Sequence, residues 1–139
     1  MARIIGIDYG TKKVGLATTD PLQIICSPLT TVPTREIFDF LEKYCQSEEV
    51  ETFVVGDSMN TDGTPSQIAH LVVGFVRNLK KKFPNIAVEM QDERFTSIDA
   101  RQIILQSGLK KKKRRDKSLV DKVSASLILQ RFMDEKNAL

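Results

Sequence analysis

The amino-acid sequence predicts an α/β fold with a mixed five-stranded sheet, an antiparallel three-strand meander extended by parallel strands, and helices on both faces. Three observations carry this expectation. The opening stretch holds β-branched runs broken by tight turns, as in Ile4-Ile5-Gly6-Ile7 and Val14-Gly15-Leu16-Ala17, with no helical period. Behind it, helical and extended patterns alternate, and helical crossovers imply parallel strands joined right-handedly. The chain has 139 residues, of which 41% are apolar, enough to bury a core without disulfide or metal staples. One domain over residues 1–139 is expected, with no internal repeat or linker.

Ile4, Ile5 and Ile7 build the first strand, Gly10-Thr11-Lys12 turns, and Val14 to Ala17 returns as its hairpin partner. Asp8 is left at a strand end beside the turn. Open sheets display reactive groups there, because the ladder stops and neighbouring side chains can converge. A carboxylate in that place equally suits bonding the turn amides. Gln23 to Leu29 reads as a third strand, with Pro28 marking an edge or the strand's end.

Thr34 is placed to cap a helix from Arg35 to about Gln46, whose Ile37, Phe38, Leu41, Tyr44 and Cys45 share one face. Thr52-Phe53-Val54-Val55-Gly56 is a short buried strand, and 57–65 a polar loop. Thr64-Pro65-Ser66-Gln67 reads as a capping box with proline at the first helical position. Ile68, Leu71, Val72, Phe75, Val76, Leu79 and Phe83 then give the strongest helical pattern in the chain. Ile86 to Gln91 is the last strand, followed by a helix capped by Thr96 or Ser97 and stopped by Gly108. A final helix runs from Ser118 to about Lys136, with small Ser124, Ala125 and Ser126 permitting close approach to a sheet. By analogy, this element order is that of the ribonuclease H-like fold.

Composition narrows the chemistry. Cys26 and Cys45 form no CxxC pair and have no histidine nearby, so buried, reduced thiols are expected. His70 is the only histidine and sits in an apolar helical pattern, which leaves little for a catalytic triad or a histidine metal site. No apolar run reaches membrane-spanning length and Met1-Ala2-Arg3 leads straight into a strand, so a cytoplasmic protein without membrane contact is expected. The net charge of +3 conceals an unbroken basic run, Lys110-Lys111-Lys112-Lys113-Arg114-Arg115, in a loop. Such a run favours phosphate-rich partners through counterion release, or is simply a solvated loop.

Three acidic residues sit where the sheet can gather them. Asp8 ends the first strand, Glu93 follows the last, and Asp121 lies in the first turn of the final helix. Asp121 shares its direction with Ala125, Ile128 and Phe132, a sheet-facing stripe. Oxygen ligands of this kind bind Mg²⁺ or Mn²⁺, and two ions about 4 Å apart can hydrolyse a phosphodiester without any histidine. Each acid also has a plainer role: Asp121 can bond its own helix start, and either Asp92 or Glu93 can pair with Arg94. Strand alternation puts Asp92 and Glu93 on opposite sides, so one is a ligand and the other a structural partner.

The blocks Asp8-Tyr9-Gly10-Thr11-Lys12, Asp92-Glu93-Arg94-Phe95-Thr96-Ser97 and Val120-Asp121-Lys122-Val123-Ser124-Ala125, with Val54-Val55-Gly56 and Asn60, Asp62, Gly63 and Thr64 between them, resemble the YqgF/RuvX family across nearly the full length. The resemblance implies a cytoplasmic ribonuclease H-like nuclease with a divalent-metal site of Asp8, Glu93 and Asp121. It implies one of two activities: 5′-end processing of pre-16S ribosomal RNA, or resolution of Holliday junctions in branched DNA. Where the family has an apolar pair after Val55-Gly56, this chain has Asp57-Ser58. Asp57, ending a strand beside Asp8, is either an added metal ligand or the start of the loop.

Lys12, Lys13, Arg94 and the run Lys110 to Arg115 are the candidates for holding substrate phosphates near the metals. A four-way junction favours a homodimer, whereas trimming one end of a structured RNA suits a monomer. Two other classes compete. Asp-x-Gly-Thr also opens actin-like and sugar-kinase-like ATPases, which need two related domains where this chain has length for one. A non-catalytic nucleic-acid-binding module would use the basic run alone.

Overall fold

Five strands form one sheet in the computed structural model, which describes residues 2–57, 62–92, 100, 102–105 and 117–137. They are β1 (Arg3–Tyr9), β2 (Lys13–Thr19), β3 (Cys26–Pro33), β4 (Val50–Asp57) and β5 (Ala87–Asp92), in the spatial order β3-β2-β1-β4-β5. The meander β1-β2-β3 is antiparallel, and β4 and β5 add in parallel on the far side of β1. Both expected types of pairing are therefore present. Pro28 lies within β3, which is an edge strand, and the ladder is irregular beside it, between Leu16 and Ala17. β3 continues four residues beyond the predicted Leu29 to Pro33.

Helices cover both faces. α1 (Ile37–Ser47) and α2 (Ala69–Lys82) lie on one, where Ile37, Leu41, Val72, Phe75 and Leu79 pack with Ile5, Ile7, Phe53 and Val55. α3 (Lys117–Asn137) covers the other, where Ala125, Ile128, Leu129 and Met133 pack on Ile4, Ala17 and Val54. The alternation of side chains along β1 and β4 thus sorts two cores by residue parity. A second flank of α3 is apolar too: Val120 and Val123 cluster with Ala100 and with Ile104 of the helical segment 102–105. The rest of the helix expected between Thr96 and Gly108 lies outside the described residues.

The helix starts differ from expectation. Thr34 does not cap α1; it opens a 3₁₀ turn, Thr34–Glu36, whose preceding residue Pro33 makes no side-chain cap bond. Nor does Thr64 cap α2, which begins at Ala69 without a side-chain cap. Its hydroxyl and amide instead donate to Asp62 Oδ1 at 2.6 and 3.0 Å, closing an Asx turn beside Gly63, whose φ is 88°. In both places a nearby carbonyl or carboxylate outcompeted the helix end for the threonine. His70 and Leu71 are exposed on α2, and Cys26 and Cys45 are free and half-buried.

Candidate active site

Asp8 and Asp121 line one cleft of about 320 Å³, whose remaining wall is the turn from Tyr9 to Lys13. They meet because of a glycine. Asp8 pairs across the hairpin with Gly15, on the face that α3 covers. A Cβ on Gly15 would stand 2.2 Å from the backbone oxygen of Asp121, so α3 rests directly on the bare backbone of β2. Farther along, a Cβ on Gly6 would meet Ala125 O and Leu129 Cβ, both at 2.8 Å. Two glycines therefore seat the helix, and the one opposite Asp8 seats the turn that carries Asp121. Both carboxylates are half-buried. Asp121 is the fifth residue of α3, one residue deeper than expected, because the helix runs from Lys117.

Lys12 and Lys13 are exposed at the mouth of this cleft. Their turn is held from the side by Thr34, whose hydroxyl donates to Gly10 O at 2.7 Å and whose amide donates to Lys12 O at 2.9 Å. Sequence spacing assigns that hydroxyl to the helix, and no local signal reveals a bond spanning 24 residues. Tyr9 follows Asp8 but turns to the other face, stacked on Phe75 with ring centroids 4.6 Å apart.

Asp57 and Asp92 are register partners on neighbouring strands. Alternation gives Asp57 the parity of Phe53 and Val55, and Asp92 that of Val88, all on the face of α1 and α2. Asp8 has the opposite parity, shared with Ile4 and Gly6. Glu93, Arg94 and the run Lys110 to Arg115 lie outside the described residues. Among the described residues, no three acidic, cysteine or histidine side chains gather as a metal cluster. A second, shallower groove of about 470 Å³ runs between β5 and the end of α3, with Glu89, Gln91 and Glu135 in its wall. Gln91 donates there to Glu135 at 3.2 Å, and the wall's carboxylates have the wrong sign for phosphate.

Known proteins bear on this arrangement. The family model described as "RuvX: Holliday junction resolvase" matches residues 2–135. A protein of Phocaeicola vulgatus named "Putative pre-16S rRNA nuclease" is 49% identical over 136 residues, covering 98% of both chains. One of the same name from Christiangramia forsetii is 51% identical over 135 residues, covering 97% of this chain and all of that one. Among solved structures, Thermus thermophilus RuvC in complex with a Holliday junction substrate aligns over 99% of this chain and 96% of that one. Its TM-score is 0.58 at 15% identity. The fowlpox virus resolvase with its junction DNA aligns over 96% of this chain and 98% of that one, with a TM-score of 0.55 at 14% identity. These two likenesses confirm the ribonuclease H-like fold. A family match over almost the whole length and relatives near half identity agree, and the chain belongs to the RuvX family.

Proposed function

We propose that this chain is a metal-dependent nuclease of the cytoplasm that hydrolyses phosphodiester bonds in the 5′-end processing of pre-16S ribosomal RNA. The observation that carries the reading is the meeting of Asp8 and Asp121 in one open cleft beside Lys12 and Lys13. Carboxylate oxygens are the donors that Mg²⁺ and Mn²⁺ take, so the residues present fit a divalent ion. Asp8 and Asp121 would hold it, with Glu93 as the third ligand. The parity of β5 supports that choice over Asp92, which stands on the face away from Asp8. When bound, a metal would supply Lewis-acid chemistry toward water and the scissile phosphate.

The protein's own groups do the rest. The carboxylates fix the reacting centre at the sheet edge, while Lys12 and Lys13, with Arg94 and the run Lys110 to Arg115, hold flanking phosphates. Phosphate contacts position a nucleic acid without reading its bases, so substrate choice rests on shape. The names of the curated relatives favour ribosomal RNA.

A second reading, resolution of Holliday junctions by a homodimer, is favoured by the family description and by junction-bound structural neighbours. Incubating the protein with a 5′-extended 16S precursor and with a four-way DNA junction, under Mg²⁺ and Mn²⁺, separates the two. Cleavage of the RNA alone supports the first reading, and cleavage of the junction alone the second. Binding without cleavage of either leaves a non-catalytic module and overturns both.

A further inference from the structure

The ladder between β2 and β3 ends at the pair Lys13 and Pro33. One residue past that end, Thr34 makes two bonds into the cleft turn, through its hydroxyl to Gly10 O at 2.7 Å and its amide to Lys12 O at 2.9 Å. The hydroxyl therefore serves a turn 24 residues away rather than its own helix, which starts without a side-chain cap. The turn itself is tight: a Cβ on Gly10 would lie 2.5 Å from Lys13 O. The carbonyls on both sides of Thr11 are thus tied to a single half-buried residue of the sheet edge. Lys12 and Lys13 ride on this turn, beside Asp8 and Asp121.

A lysine ammonium is strongly hydrated and carried on a flexible stem, so its value as a phosphate contact depends on a backbone already in place. We propose that Thr34 is a positioning residue, whose hydroxyl fixes the Gly10–Lys13 turn so that Lys12 and Lys13 hold a substrate phosphate in register with the carboxylates. The inference rests on the phosphodiester reading above and adds to it a residue just past the end of β3. Because the hydrogen bond exists in the ground state as well as in the reaction, its removal weakens binding and raises KM while kcat changes little.

The test compares Thr34→Val, which keeps the shape and deletes the hydroxyl, with Thr34→Ser, which keeps the hydroxyl. Affinity for a 5′-extended 16S precursor and for a four-way DNA junction in EDTA is measured against salt for the full chain, with thermal unfolding in parallel. Thr34→Val is expected to weaken binding about threefold to tenfold, the scale of one hydrogen bond. Its log–log salt slope should become shallower by up to about one, as one phosphate is no longer neutralised. Thr34→Ser should bind like the wild type.

A cycle with the double variant Lys12→Ala, Lys13→Ala guards against a merely structural effect. If Thr34 acts through these lysines, Thr34→Val adds nothing in their absence. Wild-type affinity and slope in Thr34→Val overturn the proposal, as do equal losses in Thr34→Val and Thr34→Ser, or additivity in the cycle. A wild-type protein that binds neither the precursor nor the junction at low salt overturns the nucleic-acid reading itself, a different failure from an inert Thr34.

Discussion

Asp8 joins the candidate site only through its neighbours. Its parity along β1 turns it toward α3, and Gly15 beside it leaves room for the backbone of Asp121. The same parity rule separates it from Asp57, which shares the face of Phe53 and Val55. Asp57→Ala should therefore leave the metal-ion dependence of cleavage unchanged in titrations with Mg²⁺ and Mn²⁺; a shifted midpoint would make it a ligand. Asp20 offers a residue-scale test of folding. Its carboxylate accepts the amides of Ile25 and Ile24 at 2.7 Å each and that of Leu22 at 3.1 Å. The Ile25 bond, more than the others, lowers its pKa below the ordinary 3.8. A depressed folded-state pKa contributes stability that is present above the unfolded value and is lost as pH falls through the folded one. On acidification from the unfolded carboxylate range through the lower folded pKa, the melting temperature should thus fall less steeply in Asp20→Asn than in the wild type, and equal slopes would exclude this carboxylate as a source. What the sequence made legible at this scale were the acids themselves, since strand-end and helix-stripe positions follow from periods of two and 3.6. The threonines were not: Thr34 and Thr64 fit capping patterns, but their partners Gly10 and Asp62 were set by loop closure.

Among the elements, α3 decides whether the site exists. It seats on two glycines, and a methyl at either one collides with helix atoms. Gly15→Ala and Gly6→Ala should each destabilise the fold by about 1–3 kcal/mol, the usual cost of overpacking, measured by denaturant unfolding. Only Gly15→Ala pushes at Asp121. Compared at a temperature where both variants are folded, it should lose up to about a hundredfold in kcat, the scale of a misplacement near 1 Å, while Gly6→Ala stays much closer to the wild type. Equal losses would mean that the helix moves as a rigid whole and that Gly15 has no special place. The element order was readable because five extended runs and the amphipathic helices announce themselves by period. Close seating was foreshadowed by Ser124, Ala125 and Ser126, of which Ala125 lies fully buried against β1 near Gly6. The starts of α1 and α2 were less legible, because prolines and threonines that suit a first helical turn also suit the preceding loop.

Across the whole molecule, sheet order and charge act together. β1, β4 and β5 run parallel, so their carboxyl ends share one edge, and the cleft opens there next to the β1–β2 turn. No helix among the described residues is long and apolar enough to cross a membrane. The fold class was legible at this scale because crossover handedness leaves few arrangements of such elements. Glu93 and the basic run were nameable from the residues too, though their positions lie outside the described residues. If Lys110 to Arg115 hold phosphates, replacing Lys110, Lys111, Lys112 and Lys113 with glutamine should make the salt dependence of binding shallower, by about 0.9 for each duplex phosphate no longer neutralised. An unchanged slope would reduce that run to a solvated loop. The most direct measurement of the central claim is single-turnover cleavage of a 5′-extended 16S precursor by the wild type and by Asp8→Asn under Mn²⁺, with binding followed in EDTA. The isosteric change should lower cleavage on the order of a thousandfold or more, since several kcal/mol of transition-state stabilisation are removed, while binding and unfolding stay near wild type. Cleavage by Asp8→Asn at the wild-type rate would contradict the assignment of this cleft as the reacting centre.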